Sequence, residues 1–235
     1  MAEKLRAEAR QAIQTFRHSH HAERALTLPR PSWRGRSHQV AAVLSVPLGI
    51  WLTVTASPGA PRVACAMFAA GVFAVFAASG LNHWRPWSPH TTEIMVRIDH
   101  TGIYLVLGTT VTAFAVLGLS PGATRIALWT TWVAVAVGIL IEWLPFASPR
   151  GLTNGIYLTI GWGSVIAVPM LVANAGFLAV ALLVAGGLLY TIGVVVVSKQ
   201  RPNPNPEVFG YHEIWHLLVI AATALHYVDV AFVLR

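Results

Sequence analysis

Apolar residues in this chain come in long blocks separated by short polar breaks. Seven blocks are each long enough to cross a bilayer as a helix, at about 39–56, 63–82, 101–119, 126–144, 155–173, 177–198 and 213–234. Turn-forming residues mark most of the breaks: Ser57-Pro58-Gly59-Ala60-Pro61-Arg62, Ser120-Pro121-Gly122 and the short Asn174 to Gly176. Longer breaks run from His83 to Arg97, Pro145 to Thr153 and Lys199 to His212. The short third and fifth breaks predict tight antiparallel helical hairpins, and Pro47 and Pro169 predict kinks. The pattern therefore predicts an all-α integral membrane protein: a seven-helix transmembrane bundle over residues 38–235, preceded by a polar, arginine-rich arm over residues 1–37. Within the arm, residues 3–25 read as a helix with Leu5, Ala9, Ala12, Ile13 and Phe16 near one face. It either lies on the membrane surface or is simply solvated.

Composition agrees. The chain is 55% hydrophobic and only 11% charged, with a mean hydropathy of +0.62, where soluble domains carry roughly a quarter charged residues. A net charge of +7 would suit nucleic acid, but the basic residues sit in the arm and short loops, which fits anionic headgroups instead. Of the 16 lysines and arginines, all but Arg62, Arg125 and Arg235 fall on the N-terminal side of the predicted membrane. That asymmetry predicts a cytoplasmic N-terminus and an outside C-terminus. Cys65 is the single cysteine, so no intramolecular disulfide can form. No cleavable signal segment is expected, because the first apolar run begins too late.

This topology gathers polar residues at one face. Ser79 and His83 fall at the cytoplasmic end of the second helix, Asp99 and His100 at the start of the third, and His212 and His216 in the first turns of the seventh. Residues four apart share a helix face, so His212 and His216 can reach one ion together. With His83 they supply three imidazoles, the ligand number of many catalytic zinc sites, where zinc also makes hydroxide available near neutral pH. Asp99 is placed to hold the water, act as general base or fix an imidazole; Ser79 can hydrogen-bond water or a substrate carbonyl. Glu213 lies between His212 and His216 in a His-Glu-x-x-His spacing, which by itself is weak evidence, so a base role for it stays open. His38 stands at the start of the first helix, near the same face. His18, His20 and His21 cluster in the arm. Glu142, His226 and Asp229 are ionisable groups within apolar blocks, and His226 and Asp229, three apart, are expected to pair or line a cavity.

Ser79-x-x-x-His83, Asp99 and the run Phe209-Gly210-Tyr211-His212-Glu213-Ile214-Trp215-His216 resemble the hemolysin III family, the bacterial branch of the progestin and adipoQ receptor (PAQR) superfamily. The resemblance covers roughly residues 33–235. It implies a zinc ion held by His83, His212 and His216, with Asp99 reaching it through water, and a role in membrane homeostasis in a bacterial plasma membrane. Relatives known or proposed to hydrolyse lipid amides make a metal-dependent hydrolase of a lipid amide or ester the leading expectation, with Ser79 and Asp99 in catalytic roles and membrane lipids as partners. A non-enzymatic homeostasis factor or sensor with a structural zinc is the alternative, ahead of a channel or lytic pore. Two features depart from the family pattern. Arg34-Gly35-Arg36-Ser37-His38 replaces the usual Glu and Asn before the first helix, and Asn82 stands where Tyr commonly precedes the histidine.

Overall fold

The structure, a computed structural model, describes residues 30–145 and 151–234. The arm helix expected over residues 3–25, and His18, His20 and His21, lie outside the described residues. The described chain is helical: α1 Arg36–Thr55, α2 Ala60–Asn82, α3 Pro89–Gly118, α4 Pro121–Trp143, α5 Leu152–Gly163, α6 Val168–Lys199 and α7 Tyr211–Val228. A 3₁₀ turn, Ser164–Ala167, joins α5 to α6, and a π turn, Asp229–Val233, ends α7.

Six stretches are long and apolar enough to cross a membrane, among them a 48-residue stretch from Leu152 to Lys199. That stretch is not straight. Gly176 breaks it at φ 83, ψ 176, a conformation open to glycine. Across the break, Asn154 Nδ2 donates to Ser198 Oγ at 3.1 Å and Trp162 Nε1 to Thr191 Oγ1 at 3.0 Å. Both pairs are nearly symmetric about Gly176, as in an antiparallel hairpin.

The main difference from the expected elements lies in α3. Hydropathy places its start near residue 101, yet the helix begins at Pro89. The Ser88 side chain caps the helix by accepting from the Thr91 N–H at 3.3 Å, and proline is well suited to the first helical position. Asp99 therefore lies about three turns inside α3 rather than opening it.

The core runs along α2 and α3. Phe68, Cys65, Val75, Val106 and Ala113 are almost wholly buried, while Val43, Ile126, Trp129, Leu140, Ile166 and Phe177 point outwards. Small residues let α2 and α3 approach closely: a Cβ on Gly71 would meet Thr109 Oγ1 at 2.0 Å, and one on Gly102 would meet the Val75 backbone at 3.0 Å. This contact sets the end of α2 beside the third turn of α3. On the same end, the segment before α1 pairs with the loop before α7, through Ser32 N–H to Glu207 O at 2.9 Å and Trp33 N–H to Val208 O at 3.1 Å.

Candidate metal centre

His83 is the C-cap of α2, and its backbone N–H still bonds to Ser79 O at 3.1 Å. Its ring projects from the helix end towards the first turns of α7. Gly35 makes room for it. At φ 78, Gly35 adopts a backbone conformation few side chains tolerate, and a Cβ there would lie 2.3 Å from His83 Cβ. Arg30 also donates to the His83 carbonyl.

Candidate ligand nitrogens of His83, His212 and His216 all lie within 4.8 Å of one another. The closest approach is His83 Nε2 to His212 Nε2, 3.1 Å. Tetrahedral zinc, with bonds of about 2.0–2.1 Å, holds its nitrogen ligands about 3.3–3.4 Å apart. The pair already stands near that separation, and His216 Nδ1 is buried without a hydrogen-bond partner among the described residues. The donor set therefore fits a divalent metal of imidazole preference.

Around these rings lie four supporting groups. Ser79 Oγ is 3.4 Å from His216 Nε2. Asp99 Oδ2 is 3.8 Å from His83 Nε2 and accepts from Asn82 Nδ2 at 2.9 Å. His38 stacks on His216 with centroids 3.8 Å apart and planes 15° apart, and its Nε2 donates to the His216 carbonyl at 3.3 Å. Arg34 Nε donates to Glu213 Oε1 at 2.6 Å.

Glu213 is fully engaged. Its second oxygen accepts from the Gly210 N–H at 2.8 Å, capping α7. With 2% exposure, an arginine on one oxygen and a backbone donor on the other, it positions the helix start and does not fit a proton-transfer role.

The structure brings all five sequence-predicted site residues together, with His38 and Glu213 beside them, and places His100, Glu142, His226 and Asp229 in other contacts. His100 turns away, donating from Nδ1 to Glu142 Oε1 at 2.7 Å, beside Tyr157. Of the two alternatives for His226 and Asp229, pairing is not realised: His226 Nε2 donates to Leu183 O at 3.2 Å, and both Asp229 oxygens are buried without a partner among the described residues. Three contributors were not singled out by spacing: Arg34, Asn82 and, as a stacked ring, His38. The signal was present at the departures around residues 34–38 and at Asn82, whose side chains make these contacts.

A helical membrane bundle with a three-histidine cluster at one end, two of its rings buried and one half-buried, defines a multi-pass membrane protein with a metal-competent site. Residues 26–227 match the family described as Haemolysin-III related, and the chain belongs to it. It is 27% identical over 199 residues to Hemolysin-3 of Bacillus cereus, covering 83% of this chain and 88% of that protein. It is also 27% identical over 201 residues to the Hemolysin-3 homolog of Bacillus subtilis (strain 168), covering 83% and 90%. Monocyte to macrophage differentiation factor of Homo sapiens is 26% identical over 171 residues, 71% of this chain and 68% of that protein.

Proposed function

We propose that this protein crosses the bacterial plasma membrane seven times, holds zinc through His83, His212 and His216 at the cytoplasmic face, and hydrolyses a lipid amide or ester as part of membrane homeostasis. The single observation that carries the reading is the convergence of three imidazoles, His83 and His216 buried and His212 half-buried, with Ser79 and Asp99 at one end of the bundle. The hairpin contacts about Gly176 support two crossings between Leu152 and Lys199, and the lysine and arginine asymmetry supports the orientation.

Bound zinc would supply Lewis acidity and a water whose pKa is lowered to about 7. The chain's own groups do the rest. Asn82 holds Asp99 with one carboxylate oxygen towards the histidines, where it takes a proton from the attacking water. Ser79 Oγ–H donates to the carbonyl oxygen as negative charge develops. His38 fixes the His216 ring by stacking on it and by bonding to its backbone. Arg34, through Glu213, fixes the first turn of α7. The site sits at the end of the apolar blocks, at the depth of a lipid's amide or ester linkage.

The test is fatty-acid release from ceramide-like and phospholipid substrates by purified, zinc-loaded protein. Turnover that falls on Ser79→Ala and Asp99→Asn supports the hydrolase; no release from any of these substrates contradicts it. A structural-zinc sensor is favoured by one observation, that the ligands join α2 to α7 and leave His216 only 1% exposed. In that case zinc removal lowers thermal stability with no turnover to abolish.

A further inference from the structure

Beside the metal centre opens a cavity of about 410 Å³, whose wall includes Arg30, Arg34, Arg36, Gln39, Trp84 and His83 itself. Three guanidinium groups line it, and among the described residues no carboxylate does. Arg34 is committed to Glu213, and one Arg30 nitrogen to the His83 carbonyl. Arg36 has no ion-pair partner among the described residues. Burial and then the nearby Arg34 charge draw the Arg30 pKa below its ordinary value. Positive charge is thus crowded here beyond what the acids among the described residues offset, and an anion in the cavity would relieve it.

Depth decides which anion. Helix α1 has 20 residues from Arg36 to Thr55, a length of about 30 Å, so Arg36 stands level with one edge of the hydrocarbon. Trp33 and Trp84 flank it, 51% and 69% exposed, as aromatic side chains do at headgroup level. Down the same face of α1, Val40 and Leu44 succeed Arg36 at four-residue steps and are 60% and 56% exposed. Charge above and an open apolar track below match a lipid with an acidic headgroup.

We propose that this cavity is the headgroup site for an anionic phospholipid, its phosphate held by Arg30 and Arg36 next to His83. Two guanidiniums give a phosphate charge-assisted, fork-shaped hydrogen bonds, whereas the ammonium of a zwitterionic headgroup would meet like charge. The site rests on the hydrolase reading only for the chemistry after binding, where it names the substrate class; binding itself needs neither metal nor turnover.

Native mass spectrometry of the detergent-purified protein, titrated with phosphatidylglycerol or phosphatidylcholine, tests it. The expected result is retention of phosphatidylglycerol with at least about a tenfold preference, reduced about tenfold or more in Arg30→Gln/Arg36→Gln. Retention should persist in His212→Ala and in Lys199→Gln/Arg201→Gln, which removes two charges elsewhere on the same side. Should the double variant fail to fold, Arg36→Gln alone, an exposed change at a helix start, reads the same loss. Equal retention of the two lipids, equal loss in the Lys199/Arg201 variant, or full displacement by millimolar inorganic phosphate would overturn the assignment. Absence of hydrolysis alongside selective retention would sink only the enzyme reading.

Discussion

Asp99 and Glu213 are both acids close to the histidines, and their surroundings divide their roles. Asp99 accepts from the Asn82 amide and keeps a carboxylate oxygen 3.8 Å from His83 Nε2. Glu213 spends one oxygen on Arg34 and the other on the Gly210 N–H. Asp99→Asn should lower turnover by about 10²–10⁴ while leaving the metal bound, as loss of a proton acceptor does. Glu213→Gln should leave turnover within about tenfold, a far smaller change than loss of a general base brings; its effect should appear in thermal unfolding instead. Steady-state rates and metal content measured on the same preparations check both. Sequence spacing alone could not separate these acids. The His-Glu-x-x-His resemblance puts Glu213 one residue from a ligand, and only the partner from before α1, Arg34, shows that it is occupied. Gly35 is likewise readable only in three dimensions. Gly35→Ala should destabilise the fold by about 1–3 kcal/mol, through its left-handed backbone and its contact with His83. Thermal melts in detergent would show that loss, together with reduced metal content.

Among the elements, the α2/α3 pair sets the site. Its close approach at Gly71 and Gly102 holds His83, at the end of one helix, beside Asp99, inside the other. Gly71→Ala forces the Thr109 side chain away and should cost about 1–3 kcal/mol as overpacking. A melting temperature equal to wild type would show that the two helices do not need this contact. The position of each apolar block was legible because a bilayer demands about 20 apolar residues and breaks demand Pro and Gly. What hydropathy missed was the polar first third of α3. Thr91, Glu93 and Arg97 contribute no apolar signal, and the start is written instead in Ser88-Pro89, a capping pattern that a hydropathy reading passes over. The partner of His226 was also hidden. Three-residue spacing puts both on one side of α7, but the carbonyl of Leu183 on α6 takes the histidine.

For the molecule as a whole, the apolar blocks face outwards and the polar cluster lies at one end, and the loop charges predict the orientation. A reporter fused before residue 30 should be accessible only from the cytoplasm, and one placed after Arg235 only from outside; the reverse labelling would overturn both the orientation and the face assigned to the metal. Because the topology comes from charges and hydropathy, the gathering of Ser79, His83, Asp99, His212 and His216 was legible before any coordinates. The supporting layer was not, since His38, Arg34 and Asn82 act through contacts between segments 17 to 179 residues apart in sequence. The central claim, that three imidazoles from α2 and α7 hold one metal ion, is tested most directly by elemental analysis of protein purified without chelators, wild type beside His212→Ala. One zinc per wild-type chain and markedly less in the variant is the expected result; metal-free wild type, or equal zinc in both, would contradict it.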